Sequence, residues 1–206
     1  MRLALLMMGL AGAADAHRLD EYLQATLIGV TPGGIDLEIQ LTPGVAVFPA
    51  WMRVIDEDRD GRISPAEERG YVARVLRDLE LRVDGVLAPL TLVESNFPTL
   101  DSMREGLGTI VIKLRAARRG HELRFENRHL PQVSAYLVNC LADPNDLVLG
   151  PQRRDEAQKS IAFEYSFGAV PGARAALAPF WPALIGIPLA VRMALLLYGK
   201  PTRRIE

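Results

Sequence analysis

The stretch DEDRDGRISPAE, from Asp56 to Glu67, sets out side-chain oxygens at a spacing that suits a hard cation. Asp56, Asp58 and Asp60 fall at its first, third and fifth places. Gly61 at the sixth allows a sharp turn, and Glu67 at the twelfth can close a site with both carboxylate oxygens. The seventh place offers only its backbone carbonyl, so Arg62 is tolerated there with its side chain free to point into water. Ser64 at the ninth can bind directly or through a water. A calcium ion takes about six to eight oxygens, and no soft ligand in the segment favours a transition metal.

A plainer account covers part of this pattern. Ser64-Pro65-Ala66-Glu67 is also a capping box with proline at the first helical position, and Asp58-Arg59-Asp60-Gly61 makes a good turn. That account does not ask for three alternating aspartates. Four carboxylates crowded around one turn repel one another unless a cation sits among them.

The register D-x-D-x-D-G-x-I-S-x-x-E resembles the EF-hand family, and the resemblance covers 47–80, the loop with its flanking helices. It implies a calcium site in which Asp56, Asp58, Asp60, Ser64 and Glu67 coordinate through side chains or a water, with the Arg62 carbonyl in the sixth place. It also implies that Ile63, at the eighth place, packs against a partner. No second loop of this kind occurs: Asp143-Pro144-Asn145-Asp146 lacks the glycine and the closing Glu, and Asp101 to Glu105 has the wrong spacing. A single hand argues for a structural or docking role rather than a paired sensor that opens a groove.

The elements that must position this loop are mainly strands. Tyr22 to Val30 and Ile35 to Leu41 flank Thr31-Pro32-Gly33-Gly34, and Ile35, Leu37, Ile39 and Leu41 alternate with Asp36, Glu38 and Gln40, predicting a hairpin with one wet face. The period then turns helical: Phe48, Trp51, Met52 and Ile55 before the loop, and Tyr71, Val72, Val75, Leu76 and Leu79 after it. Further strands are expected over Leu79 to Val83, Leu87 to Glu94, Gly108 to Ala116, His121 to Asn127, Ser134 to Leu141 and Ser160 to Phe167. About eight strands at this spacing predict a mainly β fold, an immunoglobulin-like antiparallel sandwich with the helix-loop-helix inserted after the second strand.

The ends of the chain predict export and anchoring. Arg2, the apolar run Leu3 to Leu10 and the small residues Ala14-Asp15-Ala16 read as a signal peptide over 1–16, leaving 17–168 as the exported domain. The apolar run 175–198, broken by Pro179, Pro182, Pro188 and Arg192, reads as a transmembrane helix followed by a basic cytoplasmic tail, 199–206. The expected location is a periplasmic or other extracytoplasmic face, with the membrane and a membrane protein as partners. A pair of interfacial helices is the alternative for the apolar run.

The 206 residues carry 24 basic and 25 acidic side chains, a formal net charge of −1, which excludes an electrostatic footprint for nucleic acid. The single cysteine, Cys140, lies in an apolar run and reads as a buried small hydrophobe. There is no nucleophile elbow, phosphate-cradling glycine loop or cysteine-rich metal pattern, so the chain reads as a binding protein and not an enzyme. Signal cleavage would place His17 at a new N-terminus, where an amino group and imidazole can chelate metal. With His121 or His129 as second ligand this is similar to copper monooxygenases on sandwich folds, the least favoured of the readings. His129 itself reads as a hydrogen-bonded turn residue and His121 as an exposed strand start. A strand-rich exported segment ahead of an apolar one also resembles the leader domains of nickel-transporter-type accessory membrane proteins, which implies a metal-handling accessory as the alternative to a calcium-binding protein.

Overall fold

The computed structural model describes residues 21–141 and 147–168. The first strand pair is a long hairpin, β1 (Tyr22–Thr31) against β2 (Gly34–Pro43), antiparallel from Tyr22↔Pro43 to Thr31↔Gly34. Each strand buries alternate residues: Tyr22, Gln24, Thr26, Ile28 and Val30 on β1, and Ile35, Leu37, Ile39 and Leu41 on β2. The wet face foreseen for β2 is present, with Asp36, Glu38 and Gln40 half-buried. Glycine is needed at Gly34, where φ is +144° and an added Cβ would run into the Ala116 carbonyl oxygen.

Between β2 and the next strand lie two helices, α1 (Phe48–Ile55) and α2 (Pro65–Asp78). They are followed by β3 (Leu79–Val83), β4 (Val86–Leu87), β5 (Thr91–Asn96), a short α3 (Leu100–Arg104), β6 (Ile110–Ala116), β7 (Glu122–Asn127), β8 (Ser134–Leu141), β9 (Leu147–Leu149), β10 (Arg153–Arg154) and β11 (Ser160–Phe167). Two sheets result. One runs β5-β6-β2-β1-β8 and the other β10-β11-β7-β3-β4, with β9 beside β11. Inward residues of both belong to one core: Ile110, Ile112 and Leu114 from the first, and Leu81, Val83, Leu123, Phe125, Ile161 and Phe163 from the second. The molecule is therefore mainly β and sandwich-like.

Three expectations are corrected. The sheets are not wholly antiparallel, because β8 joins β1 in parallel from Tyr22↔Ser134 to Gly29↔Leu141. A parallel neighbour cannot come from a tight turn, so sequence neighbours do not reveal it. The single strand expected over Leu87 to Glu94 is two. Around Pro89, which has no amide to donate, the chain leaves β4 in one sheet and enters β5 in the other, where a bulge falls between Leu92 and Glu94. Among the described residues there are eleven strands instead of about eight, since β9 and β10 are too short to show a period.

The β3–β4 hairpin follows its Asp84-Gly85 signal. Both residues are left-handed, with φ of +50° and +74°, and Val83 pairs with Val86. Asp84 also accepts from the His121 and Glu122 amides, each at 2.9 Å, which hold its carboxyl below the usual range. At the opposite side, β8 is an edge strand whose outer backbone groups are met by side chains. Arg154 Nε donates to the Val138 carbonyl at 2.7 Å and Gln152 Nε2 to the Cys140 carbonyl at 3.0 Å. Such a covered edge is protected from pairing with another chain. Cys140 beside it is buried, as expected.

No helix of the described residues is long and apolar enough to cross a membrane. The expected signal peptide 1–16, His17, the apolar run 175–198 and the tail 199–206 lie outside those residues, as does Asp143 to Asp146.

Candidate metal loop and its anchorage

The loop is held at both ends by helix termini. Proline at the second residue of α1 costs no intrahelical bond, and the helix stops at Asp56, whose amide closes on the Met52 carbonyl at 2.9 Å. Its apolar face, Phe48, Trp51 and Ile55, is buried. At the other end Ser64 caps α2 with the foreseen capping box. Its Oγ accepts from the Glu67 amide at 3.3 Å, and Glu67 Oε2 accepts from the Ser64 amide at 2.8 Å.

Between these ends the carboxylates turn inward. Asp56 Oδ1 accepts from the Asp60 amide at 3.1 Å and Oδ2 from the Gly61 amide at 3.0 Å. Asp58 Oδ1 also accepts from the Asp60 amide, and Asp60 Oδ1 from the Arg62 amide at 2.7 Å. Two left-handed residues make this tight path, Arg59 at φ +61° and Gly61 at +79°. The outcome is that one carboxylate oxygen from each of Asp56, Asp58 and Asp60 lies within 4.8 Å of the other two. Ligands about 2.4 Å from a shared calcium ion are separated by at most about 4.8 Å, so the spacing and the all-oxygen donor set fit that ion.

The remaining expected ligands stand differently. Glu67 is outside the three-carboxylate group: besides Ser64, its Oε1 accepts from the Glu57 amide at 2.7 Å, at the start of the loop. The Ser64 amide and hydroxyl hold its carboxyl below the usual range, so it stays ionised in mild acid. Ser64 Oγ donates to Glu67 Oε2 at 2.8 Å. Arg62 is exposed and joins through its amide. Ile63 is half-buried and packs against the hydrophobic core, which includes residues of both flanking helices.

Sequence reasoning missed a buried polar assembly that ties α2 to both sheets. His129, in the turn between β7 and β8, has no exposed surface. Its Nδ1 lies 2.7 Å from Asp78 Oδ2 at the end of α2, and its Nε2 lies 3.0 Å from Tyr71 Oη one turn beyond Glu67. Tyr71 Oη in turn lies 2.6 Å from Tyr22 Oη on β1. On the backbone side, the His129 carbonyl accepts from Gln24 Nε2 and Tyr136 Oη, both at 2.7 Å. Asn127 completes the ring, accepting from the His129 amide through Oδ1 and donating from Nδ2 to Gln24 Oε1, both at 2.9 Å.

Aromatic edges close the same region. Tyr71 stands edge-on to Trp51 at 5.7 Å and to the His129 ring at 5.5 Å. Burial is the main cause that lifts the Tyr71 phenol to about 12 and the Tyr22 phenol well above its ordinary value, so both remain protonated at neutral pH. With both ring nitrogens taken by protein partners, His129 offers no lone pair to a copper ion. His121 is exposed at the start of β7, and among the described residues neither histidine joins a metal-binding cluster. The one signal of the assembly in the sequence was the clustering of polar residues in Asn127-Arg128-His129. Comparison with known proteins adds no relative: no family model matches the chain and no curated protein matches it.

Proposed function

We propose that 56–67 is a solitary EF-hand-type calcium loop, and that its role is to brace the fold rather than to signal. The observation that carries this reading is the convergence of Asp56, Asp58 and Asp60 within 4.8 Å on a loop whose outgoing helix is bonded to β1 and to the β7–β8 turn. These three side chains would hold the ion, with Ser64, Glu67 and the Arg62 carbonyl completing the set that the resemblance implies. The ion supplies positive charge that offsets the repulsion among the carboxylates. Glu67 lies one turn from Tyr71 on α2, so ordering the loop and ordering the helix that meets the sheets are one event.

The same proposal gives the protein an immunoglobulin-like connectivity, export to an extracytoplasmic compartment where calcium is plentiful, and a C-terminal membrane anchor; the last two rest on the sequence of 1–16 and 175–198. A protein of this kind binds calcium and catalyses nothing.

Calorimetric titration of the full chain with calcium, alongside thermal melting, tests the proposal. Binding to the folded form alone adds RT ln(1 + [L]/Kd), about 2.7 kcal/mol at a hundredfold excess over Kd. For a domain of this size that raises Tm by about 5–11 °C. Asp58→Ala and Glu67→Gln are expected to abolish most of the rise. An unmodified chain showing neither binding heat nor a change in Tm would sink the calcium reading.

A further inference from the structure

The contacts of His129 fix the direction of every proton between α2 and β1. The Asp78 carboxylate can only accept, so the ring proton sits on Nδ1. In the neutral ring Nε2 then accepts, Tyr71 donates to it, and Tyr22 donates to Tyr71. Each group uses its proton once. A second proton on the ring reverses the far half of this chain. Nε2–H must donate to Tyr71 Oη, the Tyr71 hydrogen must turn towards Tyr22, and the Tyr22 hydrogen then has no acceptor. Tyr22 has no exposed surface, and the buried Trp51 Nε1–H facing the same hydroxyls is itself a donor that reaches no partner with good geometry.

We infer that His129 is a proton-operated latch, which fastens α2 to the β7–β8 turn and, through Tyr71, to β1 when neutral and loosens it when protonated. The inference stands whether or not the loop binds calcium. The charged and titratable groups around the ring are Asp78 and Arg74 from α2, Tyr71 from α2, Tyr22 from β1, and Tyr136 from β8 through the His129 carbonyl. Neighbouring Arg128 is engaged outward with Glu80 and Glu126. Asp78 favours the imidazolium, whereas burial and Arg74 oppose it, and burial is the largest of these effects, so the ring titrates below its ordinary value.

The sign follows. As pH falls below about 6.5, the ordinary histidine value, the unfolded chain takes up the proton before the folded one. Stability supplied by the latch is therefore complete above that pH and lost below it, down to the folded value. The depressed carboxylates Glu67, Glu80 and Asp84 lose their contributions only at lower pH, below the ordinary carboxylate range.

The test uses the full chain labelled with 15N-histidine, in EDTA so that calcium plays no part, with the His129 signals assigned by their loss in His129→Gln. Ring nitrogen shifts report tautomer and charge. Hydrogen exchange of the 65–78 segment, corrected for the intrinsic effect of pH, reports the docking of α2. The expected result is a neutral ring protonated on Nδ1 at pH 7, a midpoint below that of an exposed histidine, and a loss of protection in α2 of about tenfold or more over the same interval. Asp78→Asn keeps an acceptor for Nδ1–H but removes the charge that favours the imidazolium, so it should retain protection at pH 7 and move the midpoint to lower pH. A charged ring or an Nε2–H tautomer at pH 7, titration without any change in α2 exchange, or a midpoint indifferent to Asp78→Asn would overturn the latch. If Asp78→Asn does not fold, the unmodified chain's ring shifts and exchange profile decide alone.

Discussion

Removing the Tyr71 hydroxyl and removing the Tyr22 hydroxyl should have unequal costs, although the two oxygens are 2.6 Å apart. Tyr71 Oη sits between two buried partners, donating to His129 Nε2 and accepting from Tyr22. Tyr71→Phe strands both, and a buried polar group without a partner costs about 1–3 kcal/mol, so the loss should be about 2–5 kcal/mol. Tyr22→Phe leaves the bond from Tyr71 to His129 intact and removes only an incoming bond, worth about 1 kcal/mol. In the double variant only His129 Nε2 is stranded and no Tyr22 proton remains, so its cost should fall short of the sum of the two singles by about 2–3 kcal/mol. Urea unfolding of the full chain at pH 8 in EDTA measures all four proteins with His129 neutral and both phenols protonated. At a slope of about 2 kcal/mol/M, Tyr71→Phe should lower the midpoint by about 1–2.5 M. If Tyr22→Phe costs as much as Tyr71→Phe, or the two add within about 0.5 kcal/mol, the proton directions deduced around His129 are wrong.

Two further outcomes follow from the fold. Gly34→Ala should destabilise the chain by more than the roughly 1 kcal/mol that such a replacement gains at a compatible site, because φ is +144° and the new methyl group meets backbone at Ala116; thermal melting reads this directly, and an unchanged Tm would show that the β1–β2 turn yields. Burial lifts the Cys140 thiol to about 12, so a maleimide should leave the native protein unmodified at pH 7.5 and label it fully in urea. Rapid labelling without denaturant would mean that the edge covered by Gln152 and Arg154 opens.

Local chemistry was readable wherever a segment's own residues decide its shape. The alternation of β2, the Asp84-Gly85 hairpin, the capping box of α2 and the close approach of Asp56, Asp58 and Asp60 all depend on side chains a few places apart. The parallel pairing of β8 with β1 and the change of sheet between β4 and β5 join residues distant in sequence or carry too short a pattern to count. Gln24, Asn127 and His129 were illegible as core residues for another reason: a polar side chain enters the interior only when its partners are already there. Those partners come from β1, α2 and the β7–β8 turn.

By itself, then, the sequence determined a strand-rich chain with one acidic loop between two helices, because periodicity, caps and turns are properties of short stretches. Only the tertiary structure decided that α2 closes on one buried imidazole from the β7–β8 turn and meets β1 through Tyr71 and Tyr22. That arrangement requires Asp78 and Tyr71 of α2 and Tyr22 of β1 to gather around His129 of the β7–β8 turn, and no spacing along the chain records it.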